Sequence, residues 1–180
     1  MRLITACRLN HQKNLKMMID SVKIVREKGI LCSLDIYGQG PLQNELDEYI
    51  RKNNCGGYIA LKGFSNRIHD EMLESEGFLI SSNYEGISNS MIEALAIGIP
   101  VIATDCPVGG ARMYIEDHVS GWLIPVGDTV RFSNAIEELL TDKERSEKYG
   151  KEASKVRTML DTKNITEKWE EFISSVIQNR

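Results

Sequence analysis

Residues 84–105, YEGISNSMIEALAIGIPVIATD, join a polar loop to a helix and then to a buried strand. Gly86 predicts a tight turn in the loop, because glycine tolerates backbone conformations that other residues avoid. Three polar residues that favour the N-cap position of a helix follow it, namely Ser88, Asn89 and Ser90. The stretch therefore predicts a loop that leads directly into the N-terminus of a helix.

Apolar residues at helical spacing define this helix, and a glycine marks its end. We expect one face of the helix to be buried, with Met91, Ile92, Leu95 and Ala96 on it. Gly98 suits the position after the last helical residue. The Val-Ile-Ala run at 101–103 is typical of a central strand that is covered on both faces.

The N-terminus of this helix is a candidate anion site, because free backbone N–H groups and the positive end of the helix dipole point to one spot. Glu85 lies in the loop before the helix, and Glu93 lies in its first or second turn. Carboxylates accept hydrogen bonds from hydroxyl groups. The combination predicts a ligand that carries both phosphates and hydroxyls, as a nucleotide-sugar does.

The composition of the chain is that of a soluble globular protein. Its 180 residues, 42% hydrophobic and 27% charged, predict a single domain spanning 1–180 with a substantial core. The net charge of -4 disfavours nucleic acid or an anionic membrane as a partner. We expect no signal peptide at the N-terminus, and no apolar run comes close to the roughly 20 residues of a membrane span.

The cysteines and histidines show no spacing of metal ligands or redox pairs. The three histidines do not cluster, so no metal site is expected. No cofactor is expected either, since a nucleotide-sugar would be a substrate. The four cysteines form no C-x-x-C pair and are expected to be reduced, cytosolic and structural: Cys7, Cys32, Cys55 and Cys106.

Six short apolar runs alternate with amphipathic helices along the chain. The runs predict strands at 3–7, 31–37, 58–61, 77–80, 101–103 and 122–125. Such alternation predicts right-handed βαβ units. The expected fold is α/β, a Rossmann-like doubly wound parallel sheet of about six strands with helices on both faces.

Local signals predict where several helices begin. Pro41 suits the first turn of the second helix, Ser65 or Asn66 a short helix after the third strand, and 141–144 reads as a capping box. A short helix is expected at 111–116. The last helix has an apolar stripe that we expect in the core, like those of the other helices: Ile165, Trp169, Phe172, Ile173 and Val176.

Ligands of such sheets bind beyond the carboxyl ends of the strands. Five loops are expected to meet there, and they contain Arg8, the glycines of 38–40, Gly63, Glu85 and the residues after Asp105. Their convergence predicts one site at this edge of the sheet.

The spacing Glu85 to Glu93, followed by a Gly-x-Pro-Val-Ile-Ala strand, resembles the signature of the retaining glycosyltransferases of family four, which have the GT-B fold. The residues around Arg8 and Lys13 are similar to the Gly-Arg-Leu…Lys-Asn-Leu element of that family. Further matches are the Gly-x-Gly-Pro element at Gly38 and Gly40, and the glycine pair Gly109-Gly110.

The resemblance implies roles for these residues. Arg8 and Lys13 would bind the donor diphosphate and stabilise its departure without a metal. Glu93 would bind the ribose and Glu85 the donor sugar, with Arg8, Lys13 and Glu85 forming the catalytic set. Other residues would line the donor site: Gly38, Gly40, Gly63, Phe64, Gly86, Ile87, Ser88, Asn89 and Ser90.

The sequence departs from the family pattern at several positions. Cys7 replaces a usual glycine, Ile87 and Ser88 replace a common Phe-Gly pair, and Met113 stands where a glutamate is usual. Cys7 and Ser88 are small, so access for a phosphate is retained. Ile87 and Met113 leave the identity of the donor sugar open.

Other interpretations of the same residues exist. Arg8 and Lys13 could be solvated surface cations, and Glu85 with Glu93 could be a glycosidase acid–base pair or an N-cap and a surface carboxylate. Phe64 could be a core residue. A dinucleotide-binding loop at 38–43 is disfavoured, since Gln43 replaces the third glycine and the glycines follow the second strand.

The resemblance covers the donor-binding, C-terminal half of the family, so we expect an acceptor domain to precede it in the full-length enzyme. The implied activity is a retaining hexosyltransferase, inactive as this isolated domain, that uses a UDP- or GDP-sugar in glycan or polysaccharide biosynthesis. The acceptor would be a glycan or a lipid-linked sugar. The expected location is cytoplasmic, at the inner face of the membrane through the full-length enzyme. The alternatives are a non-catalytic nucleotide-sugar-binding module and a sugar-nucleotide epimerase.

Overall fold

A computed structural model describes residues 1–178 and contains a single six-stranded parallel sheet. The strands lie in the order β3-β2-β1-β4-β5-β6, so β1 is central and the direction of winding changes between β1 and β4. The strands are β1 (Arg2–Ala6), β2 (Ser33–Tyr37), β3 (Ile59–Gly63), β4 (Gly77–Ile80), β5 (Val101–Thr104) and β6 (Trp122–Ile124). The expected fold class is confirmed, with strand bounds within two residues of those predicted.

Helices cover both faces of the sheet, as expected for a doubly wound fold. Helices α1, α2 and α5 pack on one face, and α3, α4 and α7 on the other. The helices are α1 (Leu15–Glu27), α2 (Gln43–Lys52), α3 (Ile68–Leu73), α4 (Asn89–Ile97), α5 (Thr129–Thr141), α6 (Lys143–Ala153), α7 (Val156–Met159) and α8 (Thr162–Gln178). None of these helices has the length and apolar composition that a membrane span requires.

The central strands are apolar on both faces because each face is covered by helices. In β1, Leu3 belongs to the core under α1 and α5, whereas the next residue, Ile4, belongs to the core under α3 and α4. This alternation follows from the two-residue period of a strand. Because both faces are covered, β4 and β5 are uninterrupted apolar runs in the sequence and do not alternate between apolar and polar residues.

Three helices differ from the sequence expectations, two in where they begin and one in its type and length. Pro41 precedes α2 by two residues instead of lying in its first turn. Helix α3 has Arg67 at its N-cap position without a side-chain cap, and Ser65 instead accepts a hydrogen bond from the Arg67 N–H at 3.1 Å. The helix expected at 111–116 is a 3-10 turn of three residues, Ala111–Met113. Helix α7 was not expected from the sequence.

The capping box expected at 141–144 is wrong in its register. Thr141 is the last residue of α5, and its hydroxyl donates to the Glu137 carbonyl at 2.7 Å. Asp142 is the N-cap of α6, and its carboxylate accepts from the Arg145 N–H at 3.1 Å. Because Thr141 is still helical, the cap moves one residue along the chain.

The expectation that the apolar stripe of α8 lies in the core is also wrong. Trp169 is 61% exposed and Phe172 is 58% exposed, and neither belongs to the two core clusters of the described residues. The two rings contact each other edge to face, with their centroids 6.0 Å apart. Helical periodicity predicts that a face is apolar, but it does not specify what the face packs against.

The position of the α6 cap can be tested by substitution. We expect Asp142→Ala to lower the free energy of unfolding by about 1 kcal/mol, since the helix loses its N-cap acceptor. The matched variant Thr141→Ala should change it by less than about 0.5 kcal/mol. Urea unfolding of both variants measures the difference. Equal losses would show that Thr141 shares the capping role.

Candidate functional site

The five loops at the carboxyl edge of the sheet are joined by backbone hydrogen bonds. The loop after β1 bonds to those after β2 and β4, the loop after β2 bonds to the end of β3, and the loop after β4 bonds to the loop after β5. The donors and acceptors are Leu9 N–H to Gln39 O (3.0 Å), Asn83 N–H to Gln12 O (2.8 Å), Gly38 N–H to Gly63 O (2.7 Å) and Glu85 N–H to Pro107 O (2.9 Å). The expected convergence of these loops is therefore confirmed.

Lys13 and Glu85 form an ion pair beside the point where the winding of the sheet changes direction. The Lys13 ammonium contacts Glu85 Oε2, and the two side chains are only 16% and 17% exposed. Lys13 belongs to a short 3-10 turn, His11–Lys13, that follows β1, and Glu85 follows β4. The two residues thus link the loops of neighbouring strands across the crevice where ligands of this fold class bind.

Two neutral side chains also donate to the Glu85 carboxylate. Ser82 Oγ donates to Glu85 Oε2 at 3.1 Å, and Gln12 Nε2 donates to Glu85 Oε1 at 3.3 Å. Gln12 Nε2 also donates to the Tyr84 carbonyl at 2.9 Å. The carboxylate is therefore held from three directions.

The N-terminus of α4 is fixed against the end of β1. Ser88 is the N-cap, as its side chain accepts from the Met91 N–H at 3.4 Å. Ser90 Oγ donates to the Ala6 carbonyl at 2.8 Å. Since Ala6 is the last residue of β1, the positive end of α4 lies at the carboxyl edge of the sheet. Asn89, the first helical residue, is exposed there.

The tight turn expected at Gly86 is not present. Gly86 has no positive φ, and a Cβ placed on it would meet nothing within 4 Å. The steric constraint lies instead at Gly110, where a Cβ would be 1.8 Å from the Gly86 carbonyl oxygen. Two backbone segments, one after β4 and one after β5, approach closely here because Gly110 has no side chain.

A cleft of about 390 Å³ lies between the loops after β1, β2 and β3. Its lining residues are Ala6, Cys7, Arg8, Tyr37, Gly38, Gln39, Phe64, Ser65 and Ile68. Phe64 is 75% exposed at this cleft, so the core interpretation of Phe64 is wrong. Gly38 has a φ of 127°, and a Cβ there would be 1.8 Å from the Cys7 carbonyl oxygen, which explains why a glycine stands at the wall.

The remaining predicted residues lie around the same edge. Gly40 packs against Leu9, where a Cβ would be 2.3 Å from the Leu9 carbonyl oxygen. Ile87 is 50% exposed beside Gly86. Glu93 lies in the second turn of α4 and pairs with His69 Nε2 of α3 at 3.2 Å. The Arg8 side chain is exposed, and the described residues offer it no ion-pair partner.

Three side chains at the site carried no recognisable sequence signal. Gln12, Ser82 and His69 contact the two glutamates from positions that no motif marks. Gln12 and Glu85 are 73 residues apart in the sequence, so only the folded chain brings them together. The one available hint was that Gln12 directly precedes Lys13.

Burial raises the pKa of the Cys7 thiol to about 11, and the nearby Lys13 ammonium opposes this shift only in part. At neutral pH the thiol is therefore protonated, and Cys7 does not provide a thiolate nucleophile.

Nowhere in residues 1–178 do three His, Cys, Asp or Glu side chains gather as potential metal ligands.

Comparison with known proteins decides the family. The sequence model of the family described as glycosyl transferases group 1 matches residues 2–156. The chain belongs to this family. This membership agrees with the glycosyltransferase resemblance of the Glu85–Glu93 signature.

Two named relatives match almost the whole of this chain. One is the UDP-N-acetylglucosamine–peptide N-acetylglucosaminyltransferase GtfA subunit of Limosilactobacillus reuteri. It is 30% identical over 183 residues, and the alignment covers 97% of this chain and 35% of that protein. The putative glycosyltransferase EpsD of Bacillus subtilis is 28% identical, with 96% and 45% covered. The chain thus spans about a third to a half of the length of these relatives.

Two solved structures share the fold of this chain. A Staphylococcus aureus TarM mutant, crystallised with Fondaparinux, alpha-GlcNAc-glycerol and UDP, has a TM-score of 0.88 at 25% identity, covering 94% of this chain and 34% of that one. The pneumococcal O-GlcNAc transferase GtfA, in complex with UDP and GlcNAc, has a TM-score of 0.84 at 28% identity, covering 98% and 36%. Group 1 membership favours a transferase over an epimerase or a dinucleotide-dependent enzyme.

The close approach at Gly110 gives a test of the site architecture. Gly110 has an ordinary helical backbone, with φ of -60° and ψ of -34°, so alanine would be strained there only by its contacts with the Gly86 carbonyl and the Ile87 nitrogen. We expect Gly110→Ala to lower the free energy of unfolding by about 1–3 kcal/mol. Gly86→Ala, where the space is open, should change it by less than about 0.5 kcal/mol. A Gly86→Ala loss as large as that of Gly110→Ala would contradict this assignment of the constraint.

Proposed function

We propose that this chain is the donor-binding domain of a retaining glycosyltransferase that takes its sugar from a nucleoside diphosphate. The observation that carries the proposal is the Lys13–Glu85 pair beside the N-terminus of α4. It combines a cation, a helix end and a held carboxylate in one crevice. These groups match a diphosphate linked to a sugar, since the cation and the helix end suit phosphate and the carboxylate suits sugar hydroxyls.

UDP-sugars are the proposed donors. The pneumococcal GtfA and S. aureus TarM structures were both solved with UDP, and their folds match this chain at 28% and 25% identity. The exposed Phe64 and the wall at Gly38 form a cleft that suits a nucleobase, with Gly40 and Gly63 shaping the loops beside it. A GDP-sugar is the alternative donor, and the same binding experiment distinguishes the two.

The proposed mechanism needs no metal. Arg8 has no ion-pair partner among the described residues and is free to bind the diphosphate. Lys13 holds Glu85 and, with three N–H donors, can also donate to a phosphate oxygen. Together with the α4 N-terminus, including Gly86, Ile87, Ser88, Asn89 and Ser90, these cations would stabilise negative charge as the nucleotide leaves.

The two glutamates have separate proposed roles. Glu93 lies on a helix whose inner face is packed through Met91, Ala94 and Leu95, so its reach is short and constant. It would bind the ribose, which all donors share. Glu85 lies in the loop before the helix and would bind the sugar. Transfer with retention would proceed on one face of the sugar, with the leaving diphosphate assisting deprotonation of the acceptor.

Turnover is proposed to require an acceptor domain in the full-length enzyme. Relatives that this chain matches are about two to four times its length, and their names include a poly(glycerol-phosphate) alpha-glucosyltransferase and an amylovoran biosynthesis glycosyltransferase. A glycan or a lipid-linked sugar is the proposed acceptor.

The proposed location of the enzyme is the cytoplasm, because the four free cysteines fit a reducing compartment. If its acceptor is lipid-linked, the enzyme would act at the inner face of the membrane.

Metal-independent UDP binding is the first test. We expect calorimetry to detect UDP binding that EDTA does not change. Arg8→Ala should weaken UDP by about 10- to 100-fold, as expected for a lost charge-assisted contact, and should leave uridine unaffected. The control is Arg51→Ala, since Arg51 is exposed on α2 and pairs with Asp47. Equal losses for UDP and uridine, or binding only with Mg²⁺, would refute the proposed phosphate role.

Conservative substitutions separate the roles of the two glutamates. Glu93→Gln should weaken UDP and spare 2′-deoxy-UDP, because a carboxylate binds a hydroxyl more strongly than an amide does. Glu85→Gln frees the Lys13 ammonium, so affinity for UDP should not fall, while the affinity for the UDP-sugar relative to UDP should fall. Titration of both variants with the three ligands measures this. If Glu85→Gln weakens UDP as much as it weakens the UDP-sugar, the assignment is wrong.

A further inference from the structure

The hydrogen-bonding capacity of the Glu85 carboxylate is largely used before any ligand arrives. An ionised carboxylate offers about four acceptor directions on its two oxygens. Lys13 and Ser82 donate to Oε2, and Gln12 donates to Oε1. The remaining direction is on Oε1, the oxygen that only Gln12 contacts among the described side chains.

Gln12 is bonded to the Glu85 segment through both its side chain and its backbone. Its Nε2 donates to the Tyr84 carbonyl at 2.9 Å and to Glu85 Oε1 at 3.3 Å. Its carbonyl accepts from the Asn83 N–H at 2.8 Å. Three consecutive residues, Asn83 to Glu85, are thereby attached to one residue of the loop after β1.

Lys13 and Gln12 act on the carboxylate in different ways. The ammonium is a point charge with rotatable donors, so it stabilises the negative charge without fixing the plane of the carboxylate. The amide is neutral and planar, and its two N–H groups point in fixed directions, one to Tyr84 O and one to Oε1. Orientation of Oε1 thus depends on Gln12.

We infer that Gln12 is a positioning residue that orients Glu85 for the donor sugar. The inference rests on the proposed function and deepens it: Gln12 holds the segment 83–85 so that the free acceptor direction of Glu85 Oε1 meets a sugar hydroxyl. Gln12 itself binds neither the diphosphate nor the nucleoside. Its effect is therefore confined to the sugar part of the ligand.

The test is Gln12→Met, which keeps the length of the side chain and removes both donors. Titrations use UDP, UDP-glucose and UDP-N-acetylglucosamine. For whichever UDP-sugar the wild type binds more tightly than UDP, the variant should lose about two- to tenfold in affinity, the range for one neutral hydrogen bond, with UDP unchanged. The control is Gln43→Met, because Gln43 is exposed at the start of α2 and makes no side-chain hydrogen bond.

Amide hydrogen exchange provides a readout that needs no ligand. In Gln12→Met the Glu85 amide, which donates to the Pro107 carbonyl at 2.9 Å, should exchange faster than in the wild type and in Gln43→Met. The inference is overturned if exchange is unchanged, or if the variant weakens UDP as much as the UDP-sugar. In either case, UDP binding by the wild type would still support the proposed function. If the wild type binds none of the three ligands, the proposed function fails and the sugar-positioning role fails with it, whereas faster exchange would still assign the loop contact to Gln12.

Discussion

The ion pair between the Lys13 ammonium and the Glu85 carboxylate joins the loops that follow β1 and β4. These strands are neighbours, with Ile4 opposite Phe78, but the chain winds away from them in opposite directions, through β2 and β3 on one side and β5 and β6 on the other. Loops at such a point diverge and leave a crevice. A carboxylate only 17% exposed is costly to hold there without partners, and Lys13, Gln12 and Ser82 supply them.

The charges of the crevice explain how an acidic chain could bind an acidic ligand. The chain carries a net charge of -4, so its overall field does not attract a diphosphate. Lys13 and Glu85 together are neutral, which leaves the exposed Arg8 and the α4 N-terminus as the positive groups. Attraction would therefore be local, acting within the roughly 10 Å over which charges are felt at ordinary ionic strength.

The fold could be predicted because each of its determinants is local in the sequence. Apolar runs of strand length alternate with segments of helical periodicity, so a parallel sheet of six strands follows. Helix ends are local too, as at Gly98, which ends α4 with a φ of 93°. Convergence of the loops followed too, since parallel strands place all carboxyl ends at one edge. Element bounds were less accurate, as at Thr141, where the hydroxyl bond to Glu137 keeps the residue helical.

What the sequence did not predict are contacts between residues far apart in the chain. Gly86 was assigned a special backbone, but the constraint belongs to Gly110, because close approach of two segments is a tertiary property. Gln12 and His69 occur without characteristic spacing in the sequence, and their partners lie in other elements. The apolar stripe of α8 shows the same limit, since periodicity describes a surface and not its neighbour.

The two glutamates of the signature differ in how far they are prepared for a ligand. Glu85 accepts from three side chains and keeps one orientation, so binding a hydroxyl there requires little reordering. Glu93 is 42% exposed and has one partner, His69, which is itself 61% exposed. A hydroxyl that reached Glu93 would have to replace or share that imidazole contact. Because displacing a partner offsets part of the binding free energy, the same carboxylate chemistry is worth more at Glu85. Under the proposed roles, the variable sugar meets the carboxylate that is already held for it, and the invariant ribose meets a carboxylate of short reach that must give up or share its His69 contact.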